Sequence, residues 1–137
     1  MIVPVVIVIV WRKKVAEVEL YMQVRTDTGE LNGMWEFPGG KIENNETAAQ
    51  AAVREFQEEV SIDLKLEKCQ LFKIYPHDYG PKKVLLYTHL YQLDSMDTSH
   101  GKWHKLADIN DDFKNKIPAA NWGIIQDLKS YFKHGNY

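Results

Sequence analysis

Apolar residues dominate the start of the chain, where positions 2–11 read IVPVVIVIVW. The Val and Ile content predicts a buried strand, and the run is too short to span a membrane. The charged triplet RKK at 12–14 predicts a turn and the roughly alternating stretch 15–25 predicts a second strand, so we expect an opening hairpin. No Lys or Arg precedes the apolar run, as a targeting segment would require, and the expectation is a cytoplasmic protein.

Residues 26–45 interrupt this alternation because they are dense in Gly, Asn and Pro. They predict a loop with a short extended piece near 35–37. Residues 46–60 contain neither Gly nor Pro and predict a helix whose start is capped by Asn44 or Asn45.

The second half of the chain continues with strands and a final helix. Its apolar runs predict strands at 64–75 and 83–93, joined by a loop at 76–82. A last helix follows PAAN at 118–121, with an apolar side formed by Ile124, Ile125, Leu128, Tyr131 and Phe132. Strands separated by helices predict an α/β (α+β) fold.

Composition narrows the class of protein. The 137 residues fit one domain, and 45% hydrophobic with 26% charged residues is typical of a globular protein. The 17 basic and 19 acidic residues give a formal charge of −2, without the basic excess that stable binding to long nucleic acids requires. Cys69 is the single cysteine, so an internal disulfide and a zinc site of several thiolates are excluded.

Three carboxylates cluster in REFQEEV at 54–60. At about 100° per residue, Glu58 and Glu59 fall roughly 60° and 40° to either side of Glu55, so the three share one helix face. The apolar stripe lies roughly 120° away by the same arithmetic and comprises Ala49, Ala52, Val53, Phe56 and Val60. An ordinary solvated face is one interpretation; the other is a site for Mg²⁺ or Mn²⁺, close to the backbone of FPGG at 37–40.

The stretch GKIENNETAAQAAVREFQEEVSI at 40–62 resembles the Nudix box, G-x5-E-x7-R-E-U-x-E-E-x-G-U, where U is apolar. The positions in register are Gly40, Glu46, Arg54, Glu55, Phe56, Glu58, Glu59 and Ile62. Ser61 departs from the pattern, which has Gly there. WEFPGGKIE at 35–43, a Val-Arg pair before the loop and the Pro-Ala-Asn element are similar to the MutT-type branch of the family.

The resemblance implies an α/β/α sandwich with a mixed β-sheet between helices, formed by residues 1–137 as a single Nudix hydrolase domain. It implies a catalytic set of Glu46, Arg54, Glu55, Glu58 and Glu59. Within it the metal ligands would be Glu55, Glu58, Glu59 and the carbonyl of Gly39, with Mg²⁺ as the cofactor and Mn²⁺ as a substitute. Arg54 and Glu46 would orient the ligands, although Arg54 also suits a simple pairing with Glu58 one turn on.

Two departures from the family pattern concern the backbone. A Gly at position 61 would end the helix in the left-handed region, where Ser61 costs on the order of 1 kcal/mol. Asn45 stands where many MutT-like sequences have Gly, and Asn tolerates positive φ better than most residues.

The resemblance also implies residues that contact the substrate. Arg25 matches an arginine that contacts the phosphates or sugar of a nucleotide, and Asn121 matches an asparagine that reads the purine edge. Asn121 also suits a helix N-cap, and Arg25 suits an ordinary charged strand end. The general base is either Glu55 or a later loop acid, matched by Asp97. Trp35, His77 and Tyr79 are aromatic residues left without a role.

The implied function is a Mg²⁺-dependent nucleoside triphosphate pyrophosphohydrolase that releases a nucleoside monophosphate and pyrophosphate, with 8-oxo-dGTP as the first substrate to test. The alternatives are an RNA 5′-pyrophosphohydrolase and a house-cleaning hydrolase of another nucleoside diphosphate derivative. A module that only binds nucleotides would be expected to have lost acids of the box. The expected partner is the nucleotide itself, with no membrane, and the protein is expected to be a monomer or a homodimer.

Overall fold

The computed structural model describes residues 1–26, 29, 31–96 and 98–135. Its strands are β1 (Ile2–Lys14), β2 (Glu17–Val24), β3 (Trp35–Glu36), β4 (Gly39–Lys41), β5 (Gln70–Tyr79), β6 (Lys82–Gln92) and β7 (Lys102–Lys105). The α-helices are α1 (Ala48–Val60) and α2 (Ala119–Lys133), and short 3₁₀ helices occupy Leu66–Lys68, Leu106–Asp108 and Asp111–Lys116. The strands form a sheet of order β3-β2-β1-β6-β5, with β4 paired to β1 and β7 to β2. The predicted α/β class is confirmed.

The chain groups into two compact units, and the first consists of Met1–Val10 and Phe37–Leu93. In it the start of β1 pairs antiparallel with β4, and β5 pairs antiparallel with β6. Helix α1 contacts both β4 and β6. The fully buried side chains of this unit include Val6, Val8, Ala52, Phe56 and Leu90. The single-domain organisation expected from the length stays a prediction.

The second unit consists of Trp11–Glu36 and Asp94–Tyr137. Strand β2 pairs antiparallel with the end of β1, with β3 and with β7. The predicted apolar side of α2 is buried at Ile124, Ile125, Leu128 and Phe132, while Tyr131 is half-buried. Phe132 packs on Trp11 with ring centroids 4.9 Å apart.

The first hairpin turns at Val15 and Ala16, so the turn predicted at 12–14 is wrong. Those basic residues continue β1 because acids stand opposite: Arg12 pairs with Glu19 and Lys14 with Glu17. Arg12 Nε also donates to Glu19 Oε1 at 2.7 Å. Both turn residues have positive φ, 50° for Val15 and 67° for Ala16, as the tightest hairpin turns require.

Replacing Val15→Asn and Ala16→Gly together is expected to stabilise the protein by about 1–3 kcal/mol, because a β-branched residue is strained at positive φ and Asn-Gly is the preferred pair. Urea denaturation followed by circular dichroism would measure the gain. Val15→Thr serves as a control, since it makes the exposed turn more polar and keeps the β-branch. An equal gain in Val15→Thr would attribute the effect to surface polarity.

Helix α1 starts two residues later than predicted, and its cap is Thr47 rather than Asn44 or Asn45. The Thr47 hydroxyl accepts from the Gln50 N–H at 3.1 Å, and the Gln50 side chain accepts from the Thr47 N–H at 2.8 Å. The sequence TAAQ at 47–50 is the pattern of such a capping box, and the prediction missed it. Asn45 does adopt positive φ, at 66°, in the turn that precedes the cap.

Ser61 ends α1 in the left-handed region, with φ 64° and ψ 34°, and its N–H donates to the Gln57 carbonyl at 2.9 Å. Ser61→Gly is therefore expected to raise the free energy of unfolding by about 1 kcal/mol, because Gly lacks the Cβ that penalises this conformation. Ser61→Ala keeps a Cβ and should give no such gain. Thermal melts of the two variants test this, and equal melting temperatures would refute the strain.

Two further strands differ from the predictions, and the strand predicted at 64–75 begins only at Gln70, because Leu66–Lys68 form a 3₁₀ helix. Strand β5 extends through the predicted loop to Tyr79, and the turn is formed by Gly80, with φ 62°, and Pro81. Pro76 is tolerated within β5 because that strand lies at the edge of the sheet. Strand β7 was not predicted, since its four residues, KWHK, are too few and too polar to show a pattern.

Neither α-helix of the described residues has the length and hydropathy needed to cross a lipid bilayer.

Candidate active site

Two glycines bring strand β4 against β1 and α1. Ile7 lies opposite Gly39 and Val6 opposite Gly40, and the Val8 N–H donates to the Pro38 carbonyl at 2.8 Å. A Cβ at Gly39 would overlap the Val6 carbonyl oxygen, and a Cβ at Gly40 would overlap the Glu55 carboxylate. Position 39 therefore requires Gly, because the overlap there is with backbone, whereas a side chain at position 40 would displace the Glu55 carboxylate.

Arg54 organises the acids of the site. Its Nε and Nη2 donate to the two oxygens of Glu46 at 3.1 and 2.6 Å, a bidentate pair. Its Nη1 donates to Glu55 at 2.8 Å and to Glu58 at 3.4 Å, and Nη2 also donates to the Lys41 carbonyl at 3.0 Å. Since a guanidinium carries five N–H groups, these contacts engage all of them.

These contacts also keep Arg54 and Glu46 in their charged forms. The hydrogen bonds that Arg54 donates to Glu46, and then to Glu55, raise the pKa of Arg54 above its ordinary value, although burial opposes the shift. The Arg54 hydrogen bond, followed by one from the Glu43 N–H at 2.7 Å, lowers the pKa of Glu46. Both groups are therefore charged throughout the physiological pH range.

The three clustered carboxylates project from α1 to different depths. The Glu55 side chain is 14% exposed and the Glu58 side chain 56% exposed. Glu59 is half-buried, and its Oε2 accepts from the Gly39 N–H at 3.3 Å. The buried stripe of α1 is Ala51, Ala52, Phe56 and Val60, whereas Ala49 and Val53 of the predicted stripe are only half-buried.

The donor set suits a hard divalent cation. Carboxylate oxygens from Glu55, Glu58 and Glu59 are the ligands that Mg²⁺ and Mn²⁺ prefer, and Gly40 leaves open the space beside Glu55 that a Cβ would fill. Within the described residues no three His, Cys, Asp or Glu side chains converge in a metal-binding arrangement. Arg54 and the Gly39 N–H engage one oxygen of each acid, so the side chains would have to turn toward an ion.

Glu43 and the Lys41 carbonyl are contacts of Arg54 that sequence reasoning missed. Glu43 Oε1 lies 3.4 Å from Arg54 Nε. Both residues belong to the GKIE segment at 40–43, inside the Nudix box. Their position in that motif was the sequence signal that could have indicated a contact with Arg54.

Asn121 lies in the second unit, in the first turn of α2. The N-cap position is Pro118, whose carbonyl accepts from the Asn121 N–H at 2.9 Å, so the N-cap interpretation of Asn121 is wrong. Asn121 is only 5% exposed. Its side-chain amide makes no hydrogen bond to any described residue. The side-chain amide is therefore available to a ligand.

Arg25 also lies in the second unit, at the end of β2. Its N–H donates to the Met34 carbonyl at 2.8 Å, and its carbonyl accepts from the Gly33 N–H at 2.8 Å, which closes the following loop. Its Nη1 lies 3.5 Å from Glu36 Oε1, and the side chain is 38% exposed. The guanidinium therefore remains accessible to an anion. Asp97, the predicted loop base, lies outside the described residues.

The chain is similar to known proteins along most of its length. The NUDIX domain profile matches residues 1–128. An 8-oxo-dGTP diphosphatase of Proteus vulgaris is 46% identical over 56 residues, 41% of this chain and 48% of that protein, so the match spans about half the length of that relative. The 8-oxo-dGTP diphosphatase of Escherichia coli (strain K12) is 33% identical over 117 residues, 81% of this chain and 86% of that protein.

A solved MutT structure, from work on the Aliivibrio salmonicida and Vibrio cholerae proteins, superposes on this chain with a TM-score of 0.68 at 26% sequence identity. The superposition covers 92% of this chain and 94% of the MutT chain. This likeness confirms the fold implied by the box. The profile match and the extended similarity to curated relatives together establish that the chain belongs to the NUDIX domain family.

Proposed function

We propose that this hydrolase of phosphoanhydride bonds is a Mg²⁺-dependent nucleoside triphosphate pyrophosphohydrolase of MutT type, with 8-oxo-dGTP as its first substrate to test. The observation that carries the proposal is the Arg54 network, which holds the acids of α1 against the backbone of Gly39 and Gly40. The curated relatives are 8-oxo-dGTP diphosphatases by name.

Each residue of the network has a role in the proposed mechanism. Glu55, Glu58 and Glu59, with the Gly39 carbonyl, would hold the cation, and Arg54 with Glu46 would keep the carboxylates in position. A bound divalent ion would neutralise the triphosphate charge and activate the attacking water. Glu55 or Asp97 would accept the proton of that water.

Substrate contacts are proposed for the second unit. The Arg25 guanidinium, exposed at the end of β2, would contact the phosphates or the sugar. The unpartnered Asn121 amide would donate to and accept from the edge of a purine.

A pyrophosphate-release screen tests the function. The substrates are 8-oxo-dGTP, the normal nucleoside triphosphates and a 5′-triphosphate RNA, each with Mg²⁺ and with EDTA. The expected result is Mg²⁺-dependent release of pyrophosphate from a free nucleotide. Preferred turnover of the RNA would support a 5′-end hydrolase instead, and absence of release from every substrate would indicate a module that only binds.

Asn121→Ala is expected to lower kcat/KM for the preferred purine nucleotide by about 10–100-fold, because a site built to hydrogen-bond a base discriminates through those bonds. Kinetics with purine and pyrimidine nucleotides would measure this, and the loss should be smaller for the pyrimidine. Asn115→Ala, at an exposed Asn of the same unit, is the control. Equal losses for both nucleotide classes would contradict base recognition.

A further inference from the structure

A cavity lies entirely within the second unit, and none of its lining residues belongs to the acidic network. The cavity has a volume of about 470 Å³. It is lined by four rings and three lysines, namely Trp35, Trp103, His104, Phe113, Lys102, Lys105 and Lys116, together with Glu19, Asp108 and Ile109. Its volume falls in the range of small-molecule sites.

The backbone of His104 belongs to β7, and its ring packs against two aromatic rings of the cavity. Its ring lies edge-on to Trp35, with centroids 4.5 Å apart, and to Phe113, with centroids 5.5 Å apart. Nε2 is buried and has no hydrogen-bond partner among the described residues. Burial lowers the pKa of His104, so the ring is neutral at pH 7. Since no hydrogen bond to the described residues fixes the ring, it can turn to offer a nitrogen to a ligand.

Three lysines line the cavity against two carboxylates, Glu19 and Asp108, so the lining carries a formal charge of +1. Glu19 is engaged by Arg12, whose guanidinium also stacks 4.2 Å from the Trp103 ring, and Lys105 Nζ lies 3.2 Å from Glu17. Lys102 and Lys116 form no ion pair with the carboxylates of the described residues. Two ammonium groups therefore lie beside the aromatic walls, and the Nζ of Lys116 is 5.8 Å from the centroid of the Phe113 ring.

We propose that this cavity is a second nucleotide site that binds a nucleoside monophosphate, with the base against the rings of Trp35, Trp103 and Phe113 and the phosphate on Lys102 and Lys116. Aromatic walls stack with bases of any identity, and two ammonium groups match the charge of a terminal phosphate. The proposal goes beyond hydrolysis and does not depend on it. The same class of molecule is what the proposed reaction releases, so the site would respond to product.

Titration with guanosine 5′-monophosphate in EDTA, followed by ¹⁵N–¹H NMR of the four Trp indoles, tests the site. Single Trp→Phe variants assign the signals. The expected result is a saturable shift of the Trp35 and Trp103 signals, with an affinity that falls about tenfold or more in Lys102→Ala/Lys116→Ala. Lys68→Ala/Lys133→Ala changes the net charge equally at exposed lysines outside the cavity and should retain the affinity.

Two further variants separate binding from other effects. Asn121→Ala should keep the Trp35 and Trp103 shifts; their loss would assign the binding to the hydrolytic site and overturn the proposal. His104→Phe should fold with an unchanged or higher Tm, because it removes an unpartnered nitrogen, and should bind more weakly. The proposal is also overturned if Lys102→Ala/Lys116→Ala binds like wild type, or if inorganic phosphate or guanosine alone gives the same shifts at the same affinity.

Discussion

The Glu58→Gln/Glu59→Gln variant is expected to lose pyrophosphate release by on the order of a thousandfold or more while keeping its fold. The amide retains the size of each side chain and removes the negative charge that would hold the cation, on which the proposed chemistry depends. Glu58 is more than half exposed, and the hydrogen bond that the Gly39 N–H donates to Glu59 is long at 3.3 Å, so the fold is expected to survive the change. Steady-state kinetics with Mg²⁺ and a thermal melt measure the two quantities.

The matched control for this experiment is Glu67→Gln, at an exposed acid of the first unit that lies outside the network. It should leave turnover unchanged. Near-normal turnover in the double variant would refute the metal assignment. A large drop in Tm alongside the lost activity would show that the two acids act mainly in folding.

Arg54→Gln is expected to lower the free energy of unfolding by about 1–3 kcal/mol and to make the protein more responsive to Mg²⁺. Stability falls because the partly buried Glu46 and Glu55 lose the guanidinium that neutralises them. The loss is smaller than for a fully buried ion pair, since the Arg54 side chain is 23% exposed. With the guanidinium removed, a divalent ion relieves more repulsion among the acids. Mg²⁺ should therefore raise the Tm of Arg54→Gln more than that of wild type.

Arg12→Gln provides the comparison for that variant. Arg12 pairs with one carboxylate at 2.7 Å and its side chain is 17% exposed, so its loss removes a similar ion pair from the other unit. It should destabilise the protein without an added response to Mg²⁺. If Mg²⁺ raised the Tm of the two variants equally, the response would not be specific to the loss of Arg54.

Helical periodicity was sufficient to place the acids of α1 on one side and most of its buried residues on another. It was also sufficient for α2, whose buried residues repeat at helical spacing. The helix start at Thr47 was available in TAAQ but was overlooked, because two Asn residues nearby offered an equally familiar cap. The Nudix box alone predicted that residue 61 ends the helix in the left-handed region, as Ser61 does.

Other features depend on pairing across long sequence separations and could not be predicted. The extension of β1 through its basic residues depends on which acids stand opposite, and strand β7 exists only through its pairing with β2. The burial of the Asn121 side chain depends on what packs around it, which a helix-start motif does not show. The aromatic cavity likewise brings Trp35 beside His104, residues that no local pattern connects.

The hydrogen bonds of Arg54 limit how the proposed site can bind a nucleotide. All five of its N–H groups are in use, so this arginine has none left for a phosphate. Glu43, Glu46, Glu55, Glu58 and Glu59 against one guanidinium leave a formal charge of −4. A bare triphosphate is repelled by such a surface, whereas its complex with divalent ions is not. If the proposed site binds both, cation and nucleotide would enhance each other's affinity by the same factor, and the local metal concentration would then control substrate occupancy.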